Sequence, residues 1–230
     1  MPLPFDARRL RRLVLRALLL MLVVLPLTLT LVYRFVPPPI TPLMLLRTAQ
    51  GEGLRKDWVP LERISPDLMR AVIASEDGKF CTHHGFDWDA IGNAIERYQD
   101  GGRVLGGSTI SMQTAKNVFL WPDRTFLRKG LEAPLTLLIE LVWGKRRIME
   151  IYLNEIEFGH GLYGAEAAAR AYFGKSAQTL TRHEAAALTA ILPSPRRWSP
   201  TRPGGHVAAR IRHITAAISA VPVAIGEPCP

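Results

Sequence analysis

The chain has 230 residues, 48% of them hydrophobic, and a formal net charge of +9 at pH 7. Residues 1–36 contain six arginines and one aspartate, a net charge of +5, so only +4 remains for residues 37–230. This distribution argues against a nucleic-acid partner, because such proteins carry their basic surface on the folded domain. About 140 residues with helical periodicity remain, enough for one domain with a real core.

The N-terminal segment is predicted to anchor the chain in a membrane. Leu13 to Tyr33 is apolar apart from Arg16, Pro26 and two threonines, and its 21 residues match the roughly 20 that cross a bilayer. Basic residues cluster at its start, and Arg34 alone follows at once. The positive-inside rule then places the N-terminus in the cytoplasm and the chain after residue 36 outside. No small-residue cleavage site follows, so an anchor is expected instead of a cleaved signal peptide.

Composition shifts divide the chain into five predicted regions. They are a basic cytoplasmic N-terminus (1–12), a transmembrane anchor (13–36), a proline-rich spacer (37–60), the main domain (61–203) and a C-terminal tail (204–230). The spacer carries an apolar patch, Leu43 to Leu46, close to the membrane. The tail has one helical segment, Val207 to Ala220, and the fold is predicted to be mainly α-helical.

A carboxylate occupies a core-facing position on one predicted helix. Ser65 and Pro66 form a typical helix start, with a capping side chain and a proline at the first helical position. Glu76 falls on the apolar stripe of this helix, just before Gly78 is expected to end it. Desolvation and the helix dipole both disfavour the ionised carboxylate, which suits a general base. The alternative is a glutamate that reaches solvent from a frayed helix end. The stripe consists of Met69, Val72 and Ile73.

Two strings match known motifs only in part. Residues 159–164, GHGLYG, fit the glycine pattern of dinucleotide-binding folds, but the preceding RRIMEIYLNEIEF is charged and helical in pattern instead of a buried strand. His183 and Glu184 begin a zinc-protease motif, but Ala187 stands where the second histidine belongs. The sequence therefore predicts neither a nucleotide site nor a zinc site.

The two cysteines, Cys81 and Cys229, do not form a disulfide framework. They could pair in an oxidising compartment, but Cys229 lies in a tail that is expected to be frayed. The expectation is two unpaired thiols.

A polar turn and a basic cluster follow Glu76. The turn GGSTISMQTAKN (106–117) supplies hydroxyl and amide groups. Four cations then occur within fourteen residues, interleaved with an apolar loop, Val118 to Pro122, that is predicted to face lipid. An anionic head group with a lipid tail needs both features side by side. The alternative is an ordinary ion pair on a helix surface, since Arg128 and Glu132 are four residues apart. The cations are Lys116, Arg124, Arg128 and Lys129.

Taken in order, these segments resemble the peptidoglycan glycosyltransferases of glycosyltransferase family 51, most closely their monofunctional, membrane-anchored biosynthetic members. The family patterns E-D-x-x-F-x-x-H-x-G-x-D, G-G-S-T-I-x-x-Q-x-x-K-N, R-K-x-x-E and K-x-x-I-x-E-x-Y-L-N are met at residues 76–87, 106–117, 128–132 and 145–154. Later pieces match at 184–188 and 193–195. Met112 departs from the pattern, because many relatives have a glutamine there, and it removes one amide from the donor site.

The resemblance implies a lysozyme-like helical domain on the outer face of the cytoplasmic membrane that polymerises lipid II with inversion into β-1,4-linked glycan. Glu76 would take the proton of the acceptor's 4-hydroxyl group. Glu132, flanked by cations, would complete the catalytic centre by orienting them or by holding a divalent ion. The donor diphosphate would contact Lys116, Arg124, Arg128, Lys129, Ser108, Thr109 and Gln113.

No cofactor is required by the sequence, although Mg²⁺ bridging the diphosphate is compatible with this chemistry. The expected partners are lipid II, the nascent glycan, membrane lipid and other cell-wall synthesis or division proteins. Two alternative functions remain open, a lysozyme-like enzyme that cleaves glycan with Glu76 as its acid and a non-catalytic scaffold for cell-wall assembly. The chain contains no S-x-x-K or K-T-G string, so no transpeptidase activity is predicted.

Overall fold

The computed structural model describes residues 7–99, 101, 107–123 and 125–229, and most of them are helical. The helices are α1 (Ala7–Leu19), α2 (Leu25–Tyr33), α3 (Pro42–Ala49), α4 (Pro66–Glu76), α5 (Trp88–Gln99), α6 (Ile110–Phe119), α7 (Phe126–Glu155), α8 (Ala165–Phe173), α9 (Arg182–Ile191) and α10 (Gly205–Ala217). Short strands β1 (Arg55–Lys56), β2 (Glu157–Gly159) and β3 (Leu162–Tyr163) form a sheet in the order β1-β3-β2. Strand β3 runs parallel to β1 and antiparallel to β2. The prediction of a mainly α-helical fold is confirmed.

The N-terminal anchor is a continuous apolar helix. Helices α1 and α2, joined by a π-helical turn at residues 20–24, form the span Arg8–Tyr33, whose 26 residues are long and apolar enough to cross a membrane. Its end is fixed to α7, which kinks at Gly144. Trp143 Nε1 donates to the Thr30 carbonyl at 2.7 Å, and the Arg147 guanidinium donates to the Tyr33 carbonyl at 2.8 and 2.9 Å. The last carbonyls of a helix lack internal partners, and Arg147 satisfies the one of Tyr33, while Trp143 adds a second bond to the Thr30 carbonyl.

The core of the domain lies where α4, α9 and α10 pack together beside α7. Helix α4 begins as predicted, because the Ser65 hydroxyl accepts a hydrogen bond from the Asp67 amide at 3.3 Å and Pro66 occupies the first turn. The predicted apolar stripe of α4 is buried. Glu76 is the last residue of α4, with Asp77 as its cap, so the glutamate lies at the boundary between the core and the loop that follows.

The segment after residue 203 is ordered against this core. Helix α10 buries an apolar stripe against α9 and α4, and the chain then returns so that Val223 is also buried. Cys229 thereby reaches the loop after α4 and forms a disulfide with Cys81, with the two Cα atoms 5.4 Å apart. The expectation of two unpaired thiols and a frayed tail was wrong, and we propose that α10 belongs to the main domain. The stripe consists of Val207, Ile211, Ile214 and Ile218.

The glycines of the GHGLYG string have a structural role. Gly161 has a φ of +61° in the turn between β2 and β3, where a side chain would collide with the backbone of Gly53. Gly164 has a φ of +83° before α8, where a Cβ atom would lie 2.7 Å from the Asn154 carbonyl oxygen. Close backbone packing therefore accounts for these two glycines without a bound nucleotide.

Candidate active site

Glu76 is held by three side chains from three helices. Its side chain is 15% exposed. Oε1 accepts hydrogen bonds from Arg210 Nη2 at 3.1 Å and from the Ser75 hydroxyl at 3.2 Å, while Oε2 accepts one from Gln113 Nε2 at 3.2 Å. The carboxylate thus stays half-buried and oriented, as its place on the α4 stripe predicted, and it does not project freely into solvent.

A second hydrogen-bond chain orders the amide that faces Glu76. The Tyr152 hydroxyl on α7 donates to Gln113 Oε1 at 3.2 Å, which leaves the Gln113 amide nitrogen directed at the carboxylate. Burial raises the pKa of the Tyr152 phenol well above its ordinary value, and the charges of Glu76 and Asp77 add to this shift. The phenol therefore remains a neutral donor at physiological pH and fixes the orientation of Gln113.

Asp77 ties the end of α4 to the start of α6. Its Oδ2 accepts a hydrogen bond from the Ile110 amide at 2.9 Å, and its carboxylate oxygens lie 2.9 and 3.0 Å from His83 Nε2. A carboxylate at a helix N-terminus satisfies an amide that has no partner inside the helix. Asp77 is therefore the residue that sets α6, and with it Gln113, opposite Glu76.

Glu132 lies in a different setting, between two cations. Its side chain is only 3% exposed, and it accepts hydrogen bonds from Arg128 Nη1 at 2.6 Å and Lys129 Nζ at 2.5 Å. Lys129 Nζ also lies 3.4 Å from the Ser108 hydroxyl. The spacing of four and three residues along α7 predicted these pairs, and they are confirmed. Glu132 is fully engaged in holding the two cations.

Lys116 is the third cation of this region. Burial lowers the pKa of its ammonium group. The charges of Arg128 and Lys129 add to this lowering, whereas those of Glu132 and Glu76 oppose it. Among the described residues, none forms a hydrogen bond or ion pair with Lys116 Nζ. A desolvated cation without such a partner is suited to receive an anionic group from a ligand.

A polar cavity of about 470 Å³ is lined by Gln113, Lys116 and Arg128 among other residues. Its floor is formed by α6 and α7, and Gln113 connects it to Glu76 because this side chain lines the cavity and also contacts the carboxylate. The wall opposite is formed by α3 and by the segment after α7. The polar lining residues include Arg47, Gln113, Lys116, Asn117, Arg128 and Glu157.

The remaining predicted ligands lie in different surroundings. Thr109 caps α6 by accepting from the Met112 amide at 3.1 Å, and its hydroxyl donates to the Gly85 carbonyl at 2.6 Å. This hydroxyl is therefore already used in the fold, whereas Ser108 is exposed beside Lys129. Arg124 lies outside the described residues. Diphosphate binding by these side chains stays a prediction.

An apolar groove of about 690 Å³ adjoins the polar cavity, and the two share Leu120 and Trp121. It runs between the anchor, residues 21–33, and the first half of α7. The prediction that residues 118–122 form a lipid-facing loop was wrong in part, because Val118 and Leu120 are buried and Phe119 packs against the core. Only Trp121 and Pro122 of this segment are exposed.

No group of three or more histidine, cysteine, aspartate or glutamate side chains is placed to hold a metal ion in the part of the chain that the structure describes. Sequence analysis missed two residues of the site. Asp77 could have been found, because it follows Glu76 directly and belongs to the same motif. Arg210 had no such signal, since it lies 134 residues from Glu76 in the chain.

The chain is similar to known proteins along most of its length. The family model described as Transglycosylase matches residues 44–219, a range that includes α10. A biosynthetic peptidoglycan transglycosylase of Caulobacter vibrioides is 56% identical over 214 residues, which cover 93% of each chain. Proteins of the same name from Rhodospirillum centenum and Bdellovibrio bacteriovorus are 59% and 50% identical, covering 87% and 89% of this chain and 86% and 84% of their own.

The domain is helical, its N-terminal helix is long and apolar enough to cross a membrane, and its polar cavity is lined by Lys116 and Arg128 among other residues. The family match covers more than half of the chain. The protein therefore belongs to the transglycosylase family.

Proposed function

We propose that the protein is a peptidoglycan glycosyltransferase that polymerises lipid II into β-1,4-linked glycan strands and uses Glu76 as its general base. The observation that carries the proposal is that Gln113 contacts Glu76 and also lines the cavity of Lys116 and Arg128. The base and the anion site are thus parts of one continuous site. The names of the relatives support the same activity.

In the proposed reaction the acceptor's 4-hydroxyl oxygen forms a bond to the anomeric carbon of the donor sugar, while the bond between this carbon and the diphosphate oxygen breaks. Glu76 receives the hydroxyl proton, and the electron pair of the broken bond leaves with undecaprenyl diphosphate. A hydroxyl group is a poor nucleophile and needs a base, which is the contribution expected of a half-buried carboxylate with one oxygen open to a ligand.

The leaving diphosphate needs neutralisation of charge more than it needs a proton. Lys116 and Arg128 line the polar cavity. Lys129 lies next to it, because Lys129 and Arg128 both pair with Glu132. We assign to these cations the stabilisation of the departing diphosphate. Glu132 keeps Arg128 and Lys129 in fixed positions, so little reorganisation is needed when negative charge develops.

The apolar groove would receive the polyprenyl chain of the substrate. It shares two lining residues with the polar cavity, and its other wall is the N-terminal helix, which is long and apolar enough to lie in the membrane where such a chain resides. We propose that the N-terminus is cytoplasmic and that the domain lies on the outer face of the inner membrane, because arginines precede the span. Growing glycan and other cell-wall synthesis proteins are the proposed partners.

The test is a polymerisation assay with purified full-length protein in detergent and lipid II labelled in its disaccharide. We expect long glycan products and release of undecaprenyl diphosphate, and no shortening of finished glycan strands. Cleavage of finished strands without polymerisation would instead identify a glycan-cleaving enzyme. Binding of lipid II without either reaction would identify a scaffold. Either result would overturn the proposal.

A further inference from the structure

The C-terminal helix brings an arginine to the proposed base. Arg210 lies in the middle of α10, beside the apolar stripe that packs on α9 and α4, and its side chain is 29% exposed. Its guanidinium has three partners. Nη2 donates to Glu76 Oε1 at 3.1 Å and to the Ser75 hydroxyl at 2.8 Å, and Nε donates to the Ala190 carbonyl at 3.2 Å.

These contacts make the two oxygens of Glu76 different. Oε1 receives the Arg210 guanidinium and the Ser75 hydroxyl, so both of its usual acceptor directions are occupied. Oε2 receives only the neutral Gln113 amide, at 3.2 Å. One acceptor direction of Oε2 remains for a ligand hydroxyl, and this oxygen is on the side of Gln113, which lines the polar cavity.

We propose that Arg210 is a positioning residue for the general base, holding Oε1 of Glu76 so that Oε2 is the atom that accepts the proton. The inference rests on the proposed function of Glu76. Arg210 lines neither the polar cavity nor the apolar groove, and its contact with the site is the one with Glu76. A rigid planar guanidinium can contact two helices and the carboxylate at once, which a lysine ammonium at the end of a flexible stem does less well.

Arg210 also brings a full positive charge into contact with Glu76. The other groups around this carboxylate are Ser75 from the same helix, Gln113 from α6, and Lys116 and Tyr152 at longer range. A charge-assisted hydrogen bond fixes a carboxylate more firmly than a neutral one, so loss of Arg210 should leave Glu76 less well oriented.

The helix that carries Arg210 is held on both sides of the site. Its apolar stripe is buried, and the chain beyond it is linked by the Cys81–Cys229 disulfide to the loop that follows Glu76. The arginine and the glutamate are thus mounted on elements joined by packing and by a covalent bond. Such support is what keeps a catalytic side chain within the narrow range of productive geometry.

The experiment measures kcat and KM for lipid II polymerisation by full-length protein carrying Arg210→Ala, Arg210→Lys or Arg210→Gln. We expect Arg210→Ala to lower kcat on the order of 10²-fold with little change in KM. Arg210→Lys should recover part of the rate that Arg210→Ala loses. Arg212→Ala, an exposed residue of the same helix, should behave like the parent.

Glu76→Gln separates the two hypotheses. If Glu76→Gln keeps only residual activity and adding Arg210→Ala lowers that activity no further, Arg210 acts through Glu76, as proposed. If Glu76→Gln loses its activity but Arg210→Ala keeps the parent's rate, the inference on Arg210 fails and the proposed base stands. An equal loss in Arg210→Ala, Arg210→Lys and Arg210→Gln would also overturn it. An active Glu76→Gln enzyme would overturn the proposed base itself.

Discussion

Glu76 is half-buried and Glu132 is buried, and the groups bonded to their oxygens differ in one decisive respect. Glu132 has a cation on each oxygen, Arg128 on Oε2 and Lys129 on Oε1. Glu76 has a cation and a hydroxyl on one oxygen and a neutral amide on the other. A carboxylate with both oxygens paired to cations organises charge, whereas one with an oxygen left open can take a proton.

This contrast predicts the largest effect for loss of the proposed base. Glu76→Gln keeps the shape and the Gln113 and Ser75 neighbours but cannot accept a proton, so polymerisation should fall by about 10²- to 10⁴-fold. Stability should change by less than about 1 kcal/mol, because the lost ion pair is partly exposed. Kinetics and thermal unfolding followed by circular dichroism check both. Asp57→Asn, an exposed acidic position, is the control, and full activity of Glu76→Gln would contradict the assignment.

Loss of a cation from the polar cavity is predicted to have the next largest effect on turnover. Lys116→Ala and Arg128→Ala each remove a charge from the polar cavity, and turnover should fall by about 10²-fold. Glu132→Gln should also impair turnover, because a neutral amide holds Arg128 and Lys129 less firmly. Steady-state kinetics with labelled lipid II measures these losses. Near-normal turnover in all three variants would place the diphosphate site elsewhere.

A third buried carboxylate extends the comparison to stability. Burial raises the pKa of Glu155 to about 7, although Lys56 at 2.5 Å opposes this shift. The folded state then binds the proton more tightly than the unfolded state, whose pKa stays near the model-peptide value of about 4.3. This stabilisation is fully present below that unfolded pKa, and it is lost as the pH rises through about 7. The loss should be at most about 4 kcal/mol.

Glu155→Gln should remove this pH dependence, because the amide does not titrate. Denaturant unfolding at pH 5 and pH 8 measures the difference, and the exposed Glu96→Gln should keep the parent's slope. An unchanged slope in Glu155→Gln would assign the pH dependence to another group.

The smallest predicted effect concerns the boundary between the polar cavity and the apolar groove. Trp121 is 41% exposed and lines both. Trp121→Ser should raise KM for lipid II about 5-fold, equivalent to about 1 kcal/mol of lost apolar contact, and leave kcat unchanged. A lipid II analogue with a short tail should show no such change. Trp88→Ser is the matched control, because Trp88 is exposed and lines neither space.

Local patterns in the sequence predicted those parts of the site whose contacts lie within one helix. The Ser65–Pro66 helix start and the pair Arg128–Glu132 follow from spacing along the chain, and both are confirmed. The prediction of a lipid-facing loop at 118–122 was wrong in part, because apolar residues beside cations have the same composition whether they face lipid or the core. Phe119, for example, stacks against Trp143, with 6.0 Å between ring centres.

Contacts between distant segments were not predictable in the same way. Arg210 reaches Glu76 across 134 residues, and Cys81 reaches Cys229 across 148. Neither pair has a local signal, because both depend on how α10 packs against α4 and α9. The sequence did predict a helix in this segment, but the helix alone does not indicate which of its arginines faces inward.

The state of the disulfide between Cys81 and Cys229 indicates which compartment the domain has reached. Reducing thiol systems keep cytosolic cysteines free, so this bond persists only in a chain whose domain has reached an oxidising compartment. Both cysteines should therefore resist alkylation by a maleimide polymer in unfolded protein taken directly from cells. They should each gain one label, seen as a gel shift, after reduction. Labelling without reduction would mean that the domain had remained in the cytoplasm.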